Sequence, residues 1–313
     1  MHGEDPRASV ARLMRRLHTI TFACLLAACG GAATSTRAEP AGTGPTYPIR
    51  FDRPLAAGAS WVEHVELRSS QRESTRIGAQ NVADDRTSLA IDLDARFTAH
   101  EVDARGRPTR LAVTVQRFVV DAGQGPVTPA IPGELIVTRS GDGAITSAAG
   151  ALDPQTIEWL GEVLTISEPH GTGDDPVFGT SEPQHVGATW GIDTALAASG
   201  LAAIGVVVRH DHLGGQTRLV ERAQVRGVDC LVLRAELSAR QLEMPGLPPG
   251  ARVERADMRA AVETALPLDL ERPSQRQRTE LRMRIELSVP TEAGTATVRL
   301  DGEQLETRER IDG

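Results

Sequence analysis

Apolar and polar residues alternate with period two along much of the chain. Leu89, Ile91, Leu93, Ala95, Phe97 and Ala99 interleave with Asp92, Asp94, Arg96, Thr98 and His100. Leu281, Met283, Ile285, Leu287 and Val289 alternate in the same way with Glu280, Arg282, Arg284, Glu286 and Ser288. Successive side chains of a strand point to opposite faces, so each segment predicts a long strand with one face buried and one in water. Turn chemistry falls between such runs at Arg105-Gly106-Arg107-Pro108, Gly141-Asp142-Gly143, Gly214-Gly215, Arg226-Gly227 and Asp301-Gly302, predicting antiparallel hairpins. The alternation breaks once. Asp153 can cap a helix, Pro154 suits its first turn, and Ile157, Leu160 and Leu164 recur on one face with Trp159 and Val163 beside them. One amphipathic helix is therefore expected near residues 153–166, closing an end or the mouth of the sheet. A second, over 195–203, is weakened by Ser199-Gly200. The expected fold is mainly β, with antiparallel sheets forming a curved sheet, half-barrel or sandwich; the spacing excludes a doubly wound βαβ fold.

An octapeptide recurs. Pro54-Leu55-Ala56-Ala57-Gly58-Ala59-Ser60-Trp61 and Pro183-Gln184-His185-Val186-Gly187-Ala188-Thr189-Trp190 share P-x-x-x-G-A-[S/T]-W. An Arg-Gly turn and then a Pro/Gly loop follow each copy, which predicts two related β halves, 49–180 with the helix and 181–313. Each glycine is expected in a tight turn before its strand, and each indole facing inward.

Composition narrows the chemistry. The chain has 313 residues, a formal net charge of -8 and 3% aromatic residues. An acidic, aromatic-poor protein offers little to a phosphodiester backbone or to stacked bases, so no nucleic-acid partner is expected. All 34 Lys+Arg residues are arginine. The absence of lysine excludes a P-loop lysine, a Schiff base to pyridoxal phosphate and an S-x-x-K nucleophile; no cofactor is expected.

The N-terminus carries an address. Arg15 and Arg16 precede a short apolar run, Leu17 to Ala28, too short to span a bilayer and ending in small residues. Residues 1–28 read as a signal peptide, and more cleanly if translation begins at Met14. Its end, Leu26-Ala27-Ala28-Cys29, resembles the lipobox of bacterial lipoproteins, in which the cysteine is diacylated and becomes the mature N-terminus. That resemblance implies lipidation at Cys29 and a membrane anchor as partner. Residues 29–48 then form the lipidated cysteine and a Gly/Ala/Thr/Ser/Pro tether. Gly30 follows Cys29 where an aspartate would resemble an inner-membrane retention signal, which points to the outer membrane, facing the periplasm. The strand pattern with one helix is also similar to LolA/LolB-type envelope proteins, whose curved sheet wraps an apolar cavity. It likewise resembles envelope lipoproteins in which a G-x-[S/T]-W strand start recurs and which carry no assigned activity.

Candidate chemistry is sparse. His210-Asp211-His212 would place both imidazoles on one face if the segment is a strand, so His210 and His212 could share a metal. A third ligand would come from His64, His100, His170, His185 or a carboxylate. Asp174-Asp175 could hold calcium with loop carbonyls but lacks the alternating carboxylates of a calcium loop. Asp92 and Asp94 read as solubilising acids on a strand, and Cys230 as a small buried residue. Two functions follow: a non-catalytic, lipid-anchored envelope protein binding an amphiphile or another envelope component, or a metal-dependent hydrolase using the His-x-His pair.

Overall fold

The computed structural model describes residues 44–139, 145–164, 166, 173–203, 206–244, 247, 249–291 and 294–311. Strands in the first half are β1 (Thr46–Tyr47), β2 (Ser60–Ile77), β3 (Gln80–Val102), β4 (Pro108–Asp121), β5 (Pro126–Val127), β6 (Leu135–Thr138) and β7 (Ile145–Ser147). Helices α1 (Pro154–Gly161) and α2 (Asp175–Phe178) follow, then β8 (Gln184–His185), β9 (Thr189–Gly191) and helix α3 (Thr194–Ala203). The chain ends in β10 (Leu213–Val225), β11 (Val228–Arg240), β12 (Arg252–Pro267), β13 (Arg276–Thr291) and β14 (Gly294–Arg310). Twelve strands form one open, curved sheet in the order β7-β6-β4-β3-β2-β14-β13-β12-β11-β10-β9, with β5 beside β4. The protein is thus mainly β and antiparallel, as the alternation predicts. The last strand lies along the first long one, from Ala296 opposite Ile77 to Arg310 opposite Glu63, so the halves share one sheet.

Alternation decides what each face does. One face carries Val65, Leu67, Ile91, Leu93, Phe97 and Phe118 in the first half, covered by Leu160, Val163 and Leu164 from α1 and the turn after it. In the second half it carries Leu237, Met258, Leu281 and Ile285, covered by Leu196, Ala197 and Leu201 of α3. A third cluster, around Leu219, Leu231 and Leu233, takes Ile49, with Tyr47, Phe51 and Trp190 packed against it. Burying so many aliphatic side chains, at about 1.5–3 kcal/mol each, is the main force holding the strands to their helices. The opposite face is polar, a lattice of Arg, Asp and Glu.

The two apolar clusters do not merge. Between them, on the same face of β2 and β14, stand Glu63, Glu306 and Arg308. Arg308 donates from Nε to Glu306, from Nη1 to Glu63 Oε1 at 3.3 Å, and from Nη2 to the Val163 carbonyl at 2.8 Å. One guanidinium thus pairs two carboxylates and ties the end of α1 to the sheet.

The repeated octapeptide folds the same way twice. Gly58 donates to the Ala99 carbonyl at 2.7 Å and Gly187 to the Leu219 carbonyl at 2.7 Å. Ala59 N–H meets Ala56 O at 3.1 Å and Ala188 N–H meets His185 O at 3.1 Å, while Ala99 and Leu219 donate back to Ala59 and Ala188. Both glycines have positive φ, +84° and +91°, with nothing within 4 Å of an added Cβ, so backbone conformation rather than crowding requires them. After the shared turn the halves diverge. β2 runs on 18 residues into a hairpin with β3, whereas β9 stops after three and α3 intervenes before β10.

Several expectations are corrected. Gly214-Gly215 and Asp301-Gly302 are not turns; they lie inside β10 and β14, paired with Ser238-Leu237 and with Arg284-Met283. At Gly215 a Cβ would sit 2.3 Å from the Glu236 carbonyl and 2.6 Å from Ile192, so close approach explains that glycine. Arg105-Gly106 and Arg226-Gly227 are turns, the latter with φ of +49° and +80°, the signs of a type I′ hairpin. Gly141-Asp142-Gly143 lies outside the described residues. Helix α1 ends at Gly161, capped by Asp153, whose carboxylate accepts from Thr156 N–H at 2.9 Å. Ile157 is 39% exposed, because Thr156 and Leu160 set the buried side of so short a helix, and Val163 and Leu164 turn inward from the chain beyond it. The expected tether runs to residue 48, yet Thr46 and Tyr47 already pair with His185 and Gln184, so the fold begins earlier.

Candidate functional site

The polar face of the sheet, from β10 across to β3, curls into a groove of about 1730 Å³. Register shows how it is built. Arg240, Asp257, Arg284, Asp301, Arg72 and Arg86 are successive cross-strand partners from β11 to β3, and Ser238, Arg259, Arg282, Glu303, Ser70 and Ser88 form the neighbouring row. Residues two apart on a strand share a face, so the two rows form one band. Across the whole groove eight arginines stand against five carboxylates, on a chain whose formal charge is -8. Most carboxylates are already engaged: Glu236 by Arg234 at 2.8 Å, Asp257 by Arg255 at 2.5 Å, Glu280 by Arg278 at 3.1 Å and Asp301 by both Arg284 and Arg299 at 2.7 Å.

The residues singled out by sequence are scattered. Cys29 lies outside the described residues, as does His170. His210 and His212 are not on a strand: they form a 3-10 turn between Arg209 and Leu213. At three residues per turn, positions i and i+2 point in different directions, so the shared face on which the metal pair rested is missing. Asp211 is held by Arg209, whose Nη2 lies 2.7 Å from its carboxylate. Cys230 is wholly buried, and burial pushes its thiol up, which fits a small core residue. Asp174 and Asp175 open α2; Asp52 accepts from Asp174 N–H at 3.0 Å, and burial together with the Asp52 and Asp175 charges raises the Asp174 carboxyl to about 7.

Sequence reasoning missed one juxtaposition. His64 stands opposite Asp94 with Asp92 beside it, and the three could offer ligand atoms within 4.8 Å of one another. His64 Nδ1 is 2.7 Å from Asp94 Oδ1, while Arg117 Nη1 is 2.7 Å from Asp92 Oδ1. Arginine thus already supplies the positive charge a metal would bring. Only pairing β2 with β3 reveals this cluster, since His64 lies 30 residues from Asp94.

Comparison with known proteins gives no family. No family model matches, and no curated protein matches. Among solved structures, DynF from the dynemicin biosynthesis pathway of Micromonospora chersina is 10% identical over 84% of this chain and 91% of that one, with a TM-score of 0.16. A LolA superfamily protein from Nitrosomonas europaea is 9% identical over 76% and 83%, TM-score 0.14, and Pseudomonas aeruginosa OpdQ 9% identical over 80% and 98%, TM-score 0.22. Likenesses this slight carry no argument. No described helix is long and apolar enough to cross a membrane.

A second, smaller cleft of about 160 Å³ lies beneath α1, between Trp159 and Glu162 and the strand residues Ser69, Leu89, Met283, Leu300 and Gln304. Burial pushes the Glu162 carboxyl up to about 8, with help from the Glu158 and Glu306 charges. A folded carboxyl that stays neutral to about pH 8, against 4.5 when unfolded, gives stability that is complete below pH 4.5 and declines as pH rises toward 8. Glu162→Gln should therefore stabilise the protein by about 2–3 kcal/mol near neutral pH and by little in acid. Chemical denaturation at both pH values checks this; an equal effect at both would show that Glu162 does not titrate with folding.

Proposed function

We propose that this chain is a non-catalytic, lipid-anchored protein of the cell envelope that binds another envelope component along the polar groove. The anchor is Cys29, the placement the outer membrane facing the periplasm. The observation that carries the reading is the groove itself, a broad concavity on the face that its own helices leave open. The apolar face is occupied by α1, α3 and the segments around them, which favours an envelope partner over an amphiphile carried in an apolar cavity. The hydrolase alternative loses its geometric basis with the His210–His212 turn.

Palmitate labelling tests the anchor. The wild type should label and sediment with membranes, and Cys29→Ala should do neither, since acyl chains at about 0.8 kcal/mol per buried CH₂ hold such a protein firmly only when attached. Equal labelling of both proteins would refute the address.

A further inference from the structure

We infer that the groove is a site for an extended, non-nucleotide chain bearing several phosphate groups. Its local excess of three arginines over carboxylates supplies the attraction that the overall charge of -8 does not, while the lack of aromatic residues leaves nothing for bases to stack on. This rests on the reading of the groove as the binding surface and deepens it by naming the ligand. Arg259 and Arg282 face each other across β12 and β13; Arg72 and Arg86 do so across β2 and β3, but Asp84 holds Arg72 by two hydrogen bonds of 2.8 and 2.6 Å, which leaves Arg86 as the open cation there. Like charges directly opposite each other on a sheet repel, so the Arg259–Arg282 pair costs stability unless an anion lies between or beside it. The acids in the band do little to relieve the first pair. Asp257 and Asp301 are held by other arginines at 2.5 and 2.7 Å, and Glu303 reaches Arg282 only at 3.6 Å with both side chains about two-thirds exposed. Among the described residues Arg259 and Arg240 make no ion pair.

A guanidinium presents a planar fork of donors that matches a phosphate or carboxylate with two parallel hydrogen bonds. Arg240, the Arg259–Arg282 pair and Arg86 stand at separate places along a band that crosses six strands, roughly 24 Å at the usual interstrand spacing. A single small anion would fill the Arg259–Arg282 pair and leave Arg240 and Arg86; a chain with repeated phosphates would meet all of them. The concavity also selects the form of the ligand. The flat headgroup plane of a bilayer cannot follow the floor of a groove, whereas an extended chain can lie along it.

Calorimetric titration of the full-length, detergent-solubilised protein with inorganic polyphosphate provides the test. Wild type should bind, with affinity falling steeply between about 50 and 200 mM salt as counterion release requires. Arg259→Ala with Arg282→Ala should weaken binding by roughly tenfold or more, the loss expected when phosphate contacts are removed. Arg110→Ala, on β4 away from the groove, should leave it unchanged. A thermal melt no lower than that of the wild type would confirm that the double variant is folded, as expected when two exposed, opposed like charges are removed. No binding by wild type, equal binding by the double variant, or binding to vesicles of anionic phospholipid without binding to polyphosphate would each overturn the inference. Such a failure with Cys29 still palmitoylated would leave the anchored reading standing, and loss of the label with polyphosphate binding intact would do the reverse.

Discussion

Replacing Arg308 by methionine is expected to cost about 3–5 kcal/mol, the range for breaking a buried ion pair by removing one partner. The cost arises from what is left behind. Glu63 and Glu306 are 13% and 17% exposed at their side chains, and without Arg308 they would lose the guanidinium that pairs both, with the Glu162 carboxyl near Glu306. The Val163 carbonyl would also lose its donor, loosening the end of α1 from the sheet. Methionine keeps most of the aliphatic stem, so the loss reports charge rather than volume. The triple variant Arg308→Met, Glu63→Gln, Glu306→Gln should recover much of the stability, because removing a whole buried charged network is often close to neutral. Urea denaturation of the three proteins decides the matter. A single variant within about 1 kcal/mol of wild type would mean that water reaches the network and the clamp does not hold α1.

This network marks where the sequence stops being legible. The strands were readable because alternation is a local property: Leu89 to Ala99 and Leu281 to Val289 show their buried face within a dozen residues. Helix α1 was readable from Asp153-Pro154 and its spaced leucines, although Ile157 faces water because the helix is too short for its periodicity to bind all of them. Gly215 and Gly302 misled for a related reason. A glycine inside a strand and a glycine in a turn look alike until the partner strand is known, and only the approach of Ile192 and Glu236 shows why residue 215 lacks a side chain. The polar band was less readable still. Its rows join residues from β11 to β3 that lie far apart in sequence, and like-charge pairs such as Arg259 and Arg282 exist only in the register of two strands. Along either strand alone, those arginines read as part of a solvated face. The His210–His212 reading fails because residues 206–209 form no strand, only a single bridge from Val207 to Glu243, and the histidines follow in a turn whose geometry separates the two rings.

The repeat gives the remaining large effect. Trp61 is 7% exposed, stacks on Phe97 with ring centroids 5.5 Å apart, donates from Nε1 to Glu63 at 2.9 Å and lies under the Arg310 guanidinium. Trp61→Ala should therefore cost about 3–5 kcal/mol, as removal of a large core aromatic does. Trp190 occupies the same place in the second copy but in different surroundings. Its cross-strand partner is Thr217 where Trp61 has Phe97, it is only partly buried, and its Nε1 reaches the Phe178 carbonyl at 2.8 Å. Trp190→Ala should cost less, about 1–3 kcal/mol, from a lost hydrogen bond and partial burial. The inequality follows from the divergence of the halves: β2 continues into a long hairpin that encloses its indole, while β9 ends and yields to α3. Because Trp61 bonds to Glu63, and Glu63 to Arg308, Trp61→Ala and Arg308→Met should not add. Their double-mutant cycle should show a coupling of about 0.5–3 kcal/mol, whereas the cycle between Trp190→Ala and Arg308→Met should show almost none. Equal losses at the two tryptophans, or additive losses at Trp61 and Arg308, would mean that the first half is not organised around the charged network that separates its core from that of the second.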